Sequence, residues 1–184
     1  MKNLILNIFI LIFFIFLFNK IIFAQNIYVD LELVLAVDVS SSVDEEEYQL
    51  QIRGVGAAFR HPDIIAAIES TGGNGIAVAM VQWSDNEEQA LVGGWHIIKD
   101  AADAAEYARI IRRSPRIIAG GQTSIAGALT FSIDQINNNN IDSSRKVIDV
   151  SGDGRANNGV HPMKIRDIAL DQNITINGLV IINE

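Results

Sequence analysis

The 184-residue sequence contains no cysteine, three prolines and no cluster of basic residues. Without cysteine there can be no disulfide, thiolate-ligated zinc, iron–sulfur cluster or thiol nucleophile. That absence does not fix the compartment, because an exported protein can also lack cysteine. Few prolines and a 20% charged content leave little room for extended disorder. Lys and Arg number 14 against 22 Asp and Glu, for a formal charge of −8. With no basic cluster to neutralise phosphates, nucleic-acid binding is excluded. Aromatic residues are only 7%, and six of the eight Phe fall within the first 24 residues.

Those 24 residues differ from the rest. Nineteen are apolar and none is acidic, and removing them takes Lys2 and Lys20 away and moves the charge from −8 to −10. Lys2 gives a basic start, Leu4–Phe18 is an apolar run broken by Asn7, and Ala24 precedes the polar Gln25. Residues 1–24 therefore read as a secretory signal peptide. Ile22 is bulky for the position three before the cut, so an uncleaved N-terminal anchor is the alternative. At 1.5 Å per residue the apolar run spans roughly 22 Å, short of a ~30 Å hydrocarbon core. Either reading places the body in the periplasm, the cell envelope or the medium, with membrane contact only through an uncleaved leader. The body, residues 27–184, has a length that suits one domain with a full core.

Along the body, apolar runs alternate with helical patterns. Tyr28–Val39, Ile76–Trp83, Ala90–Ile97, Lys146–Val150 and Ile174–Ile182 read as strands. The short link after Trp83 implies a hairpin, with Gly93-Gly94 marking an edge or bulge. Helices are expected from about Glu45 to Arg60 (capped by Ser42 or Asp44), Asp63–Glu69, from Asp100 to about Arg112, from Thr123 to about Ile136, and Pro162–Leu170. Strands alternating with helices imply an α/β layered fold with a mostly parallel sheet.

Ligands of open parallel sheets sit beyond the carboxyl ends of the strands. Asp38-Val39-Ser40-Ser41-Ser42 follows the first strand, and Ser151-Gly152-Asp153-Gly154 follows Lys146–Val150. Gly120-Gly121-Gln122-Thr123-Ser124 opens a helix. Two carboxylates and three hydroxyls could meet at one rim, an oxygen set that suits Mg²⁺ or Mn²⁺. Asp38 and Asp153 would offset the ion's charge, while Ser40, Ser42 and Thr123 would fill positions without adding any. Such a shell is incomplete and could accept an Asp or Glu from a protein partner.

At these positions the chain resembles von Willebrand factor A-type (vWA) domains. The Asp-x-Ser-x-Ser pattern at Asp38, Ser40 and Ser42 matches the signature of their metal-ion-dependent adhesion site. Thr123 matches its threonine and Asp153 its second aspartate, about 85 and 30 residues further on in family order. The resemblance covers roughly residues 28–182. Val-Gln-Trp-Ser after the second strand and Ser-Gly-Asp-Gly in place of the commoner Thr-Asp-Gly look most like an uncharacterised exported bacterial branch (DUF1194-like). The resemblance implies a three-layer, doubly wound, Rossmann-like fold with one antiparallel edge strand, and a non-enzymatic, metal-dependent binding function. The family fold usually continues into a further strand and helix, and this chain is expected to lack both.

Other residues have plainer readings. Glu45–Glu47 suit the positive end of a helix dipole, and His61, His96 and His161 have no ligand spacing. Trp83 and Trp95 read as packing, Asp85 as a turn residue, and Arg112, Arg113 and Arg116 as a solvated helix end. Two competing functions remain: a structural subunit of an envelope complex with a vestigial metal site, and a hydrolase. Against the hydrolase, Gly-x-Ser-x-Gly is absent, and no His-containing motif accompanies Gln122-Thr123-Ser124-Ile125-Ala126.

Overall fold

The computed structural model describes residues 26–181. The leader expected over residues 1–24 lies outside the described residues. Ten elements follow in order: β1 (Ile27–Asp38), α1 (Glu45–Ala58), α2 (Pro62–Glu69), β2 (Ile76–Trp83), β3 (Gln89–Ile98), α3 (Ala101–Ile111), α4 (Ile125–Asn137), β4 (Ile141–Gly152), α5 (Pro162–Asp171) and β5 (Ile174–Val180). The sheet order is β3-β2-β1-β4-β5, with β3 alone antiparallel.

The runs of apolar residues in β1 and β2 follow from their central position. A parallel strand covered on both faces has no solvated side on which to alternate, and all eight residues of β2 are buried. One layer packs Tyr48, Ile52 and Tyr107 from α1 and α3 against Val37, Val78 and Met80. On the opposite face Leu129, Ile133 and Ala169 from α4 and α5 meet Val34, Val81 and Ile148. The result is the expected three-layer, doubly wound α/β fold. No helix among the described residues is long and apolar enough to cross a membrane.

Local chemistry sets the boundaries. The α1 cap is Asp44, in a reciprocal pair with Glu47. His61 and His161 cap α2 and α5 through Nδ1, each followed by a proline in the first turn. The β2–β3 register shifts at Ala79/Met80, opposite Gly93 and Gly94 with φ of 74° and 79°, so the glycine pair does mark a bulge.

Most boundaries fall within one or two residues of the sequence reading, and two of the differences bear on the site and the sheet. Helix α4 starts at Ile125 with Ser124, not Thr123, as its cap, which leaves the Thr123 side chain free of that duty. Strand β4 runs from Ile141 to Gly152 rather than Lys146–Val150. Its first half, Ile141–Arg145, is mostly polar, and its strand signal is hidden because a buried carboxylate holds it in place. Glu32 of β1 is fully buried and accepts from Ser143 Oγ (2.6 Å) and Asn139 Nδ2 (2.5 Å). These bonds meet the demand that a buried charge be partnered.

Candidate metal site

Three loops converge beyond the carboxyl ends of β1, β2 and β4. Asp38, the last residue of β1, is fully buried, and its Oδ1 accepts from the Ser40 amide at 2.7 Å. Its Oδ2 is also buried and has no hydrogen-bond partner. Ser42 Oγ donates to Asp153 Oδ1 at 2.8 Å, and Ser40 Oγ lies 3.1 Å from Ser42 Oγ.

The parallel register explains this convergence. Val37 pairs with Ser151, so the residues just beyond, Asp38 and Gly152, lie side by side. A Cβ on Gly152 would sit 2.9 Å from Asp38 Oδ2, so only glycine lets β4 pass this close to the carboxylate. Thr123, 5% exposed, comes from the third loop. Its amide donates to Asn157 Oδ1 (2.8 Å), and the Asn157 amide donates back to the Thr123 carbonyl (2.9 Å). A Cβ on Gly154 would lie 3.9 Å from Thr123 Oγ1, so the threonine hydroxyl borders the loop that carries Asp153. The chain fold thus brings Asp38, Ser40, Ser42 and Asp153 into one hydrogen-bonded cluster, with Thr123 at its border.

Burial pushes the Asp38 carboxyl above the ordinary aspartate range. The Ser40 amide and hydroxyl pull it back, and repulsion from Asp153 pushes it up again. Desolvation and like charge are both relieved when a cation joins two carboxylates. Among the described residues no group of three or more His, Asp or Glu is placed to hold a metal. The donor set is therefore hydroxyl-rich with two carboxylates and no imidazole, which fits a hard, oxygen-seeking divalent cation.

Several residues that shape the site were not singled out by the sequence pattern. Arg116, grouped there with a solvated helix end, instead turns inward. Its Nη1 donates to the Val43 carbonyl (2.9 Å), and its Nη2 to those of Val39 (2.6 Å) and Ser40 (3.2 Å). Arg112 and Arg113 do remain exposed. The one signal that separated Arg116 from them was its place beyond Ser114-Pro115, outside the helix. Gln51 bridges β1 and β4, donating to the Asp38 carbonyl (3.3 Å) and accepting from Ser151 Oγ (3.1 Å). Asn157 carried no signal beyond lying after Asp-Gly. Asp85 acts as the expected turn residue, accepting from the Asn86 amide, and also accepts from Asn158. Glu45–Glu47 serve the first turn of α1, and Trp83 is buried in the core.

The family model described as protein of unknown function (DUF1194) matches residues 28–184. The chain belongs to this family. Its fold is vWA-like, as similar solved structures show. One is proximal thread matrix protein 1 from the mussel byssus, solved with a zinc-occupied MIDAS motif. It superposes with a TM-score of 0.65 at 20% identity over 84% of this chain and 39% of that one. The pilus adhesin SpaC from Lactobacillus rhamnosus GG gives 0.58 at 16% identity, over 83% of this chain and 24% of the adhesin. BatB from Bacteroides thetaiotaomicron gives 0.56 at 16% identity, over 82% and 66% respectively. The chain thus spans less than half of the mussel protein and of the adhesin. No curated protein sequence matches it.

Proposed function

We propose that this protein is an exported, divalent-metal-dependent protein-binding module, with Asp38, Ser40, Ser42, Thr123 and Asp153 as the metal-holding residues. Residues 1–24 would direct export, and residues 27–184 would form the binding module, working in the periplasm, the envelope or the medium. The observation that carries this reading is the buried, unpartnered Oδ2 of Asp38, beside the Ser40–Ser42–Asp153 chain of hydroxyls and carboxylate. An ionised oxygen left alone in a protein interior costs free energy that a ligand can recover.

Mg²⁺ or Mn²⁺ bound there would supply a coordination position open to a carboxylate, so the partner surface would present Asp or Glu. The protein's own residues would orient the site: Ser42 holds Asp153, Asn157 holds the Thr123 loop, and Gln51 ties the Asp38 carbonyl to β4. Nothing among the site residues pairs a nucleophile with an imidazole base, which favours binding over hydrolysis. Membership of the mussel matrix protein and the pilus adhesin in the same fold group agrees with an adhesive or scaffolding role.

Calorimetric titration of Mg²⁺ and Mn²⁺ into the metal-stripped body tests the reading. Saturable binding by wild type, lost in Asp38→Ala, is expected. Equal binding by that variant would overturn it. An acidic partner peptide should then be retained with Mg²⁺ and released by EDTA.

A further inference from the structure

We propose that Arg116 is the positioning residue that sets the affinity and ion selectivity of the Asp38–Ser40–Ser42 loop. This inference rests on the metal-binding reading above.

Loop 39–43 carries two of the proposed hydroxyl ligands, and one side chain, Arg116, bonds three of its carbonyls. The Arg116 fork reaches the carbonyls of Val39, Ser40 and Val43, so it grips the loop on both sides of Ser42. Its Nε is buried without a partner, and among the described residues no carboxylate lies within ion-pair distance of it. The guanidinium is thus committed to backbone carbonyls. Gly120, at φ 84°, makes room for it. A Cβ there would come 3.0 Å from Arg116 Nη2 and 3.2 Å from the Val39 carbonyl.

The strut that carries Arg116 is itself fixed. Gln82, fully buried in β2, donates to the Pro115 carbonyl and accepts from the Ile117 amide, both at 2.8 Å. Tyr48 of α1 donates to the Ser114 carbonyl at 3.1 Å. The backbone on either side of Arg116 is therefore pinned to the core. Guanidinium donors are planar and fixed in direction, so one Arg can fix several carbonyls that a Lys ammonium would hold as a single point.

This matters for ion choice. Mg²⁺ demands near-ideal octahedral geometry, whereas Ca²⁺ accepts longer and more variable distances. A clamp that fixes the separation of Ser40 and Ser42 therefore favours Mg²⁺ over Ca²⁺. Arg116→Lys keeps the charge and removes the fork. It should loosen the loop and shift the balance between the two ions.

The test is calorimetric titration of Mg²⁺ and Ca²⁺ into wild type, Arg116→Lys and Gly120→Ala, with metal-free thermal unfolding of each. Gly120→Ala crowds the same guanidinium and serves where the lysine variant fails to fold. The expected result is about tenfold or greater loss of Mg²⁺ affinity in the variants, with Ca²⁺ affinity changed by less than about threefold. Mg²⁺ affinity within about twofold of wild type would overturn the proposal. So would parallel loss of both ions, which marks a merely structural residue. Wild type that binds neither ion would overturn the metal reading and this inference together. Wild-type binding with indifferent variants would overturn this inference alone.

Discussion

Ser42 and Asp153 are 111 residues apart in sequence, yet the Ser42 hydroxyl donates to the Asp153 carboxylate at 2.8 Å. This bond joins the loop after β1 to the loop after β4, and it fixes which carboxylate oxygen remains for a ligand. Ser42→Ala removes both a proposed metal donor and the orientation of Asp153. Mg²⁺ affinity should fall at least tenfold, about 1.4 kcal/mol, while the far-UV dichroism is unchanged. Calorimetry on the two proteins measures it.

Gly152 and Gly154 flank Asp153 but differ in what a methyl group would meet. At Gly152 it would lie 2.9 Å from Asp38 Oδ2, and at Gly154 only 3.9 Å from Thr123 Oγ1. Gly152→Ala should therefore displace the Asp38 carboxylate and weaken metal binding. Gly154→Ala should leave affinity near wild type. Side-by-side Mn²⁺ titrations distinguish the pair, and equal effects would contradict the close approach of β4 to Asp38.

Because burial raises the Asp38 pKa, ionising this carboxyl weakens the metal-free fold. A carboxyl whose folded pKa exceeds its unfolded value contributes stability that is fully present below the unfolded value. That contribution is lost as pH rises through the folded value. In metal-free protein, Asp38→Asn should therefore gain on wild type as pH rises from about 4 to about 7. Saturating Mg²⁺ should reverse the order, because only wild type binds it. Urea unfolding at several pH values, with EDTA or Mg²⁺, checks both halves.

Glu32 offers a control remote from the site. Its carboxylate is fully buried and held by Ser143 and Asn139. Ser143→Ala leaves a buried charge short of one partner and should cost about 1.5–3 kcal/mol in unfolding free energy. Metal affinity should not change. A coupled loss of affinity would mean that the start of β4 and the metal loops are not independent.

Most of the fold was legible in the sequence because the central strands advertise themselves. The runs in β1 and β2 are apolar because both faces are covered; a Ser-rich break ends the first before a helix, and the polar turn Ser84–Glu88 returns the second into β3. Gly93-Gly94 signalled its bulge because two adjacent positive-φ residues suit an irregular ladder. The first half of β4 was not legible. Asp142 to Arg145 are polar, and their pairing with β1 depends on Glu32, which is distant in the chain. The residues of the candidate site were legible because Asp-x-Ser-x-Ser and Asp153 end readable strands and Thr123 precedes a readable helix. Their supports were not. Arg116, Gln51 and Asn157 bond to backbone atoms or to partners in other loops, and such contacts leave no spacing pattern.

The most direct measurement is anomalous diffraction from crystals of the body grown with Mn²⁺. A single strong peak bounded by Asp38, Ser40, Ser42, Thr123 and Asp153, absent in Asp38→Ala crystals, is expected. No peak at that rim under saturating Mn²⁺, or one that persists in the variant, would contradict the central claim.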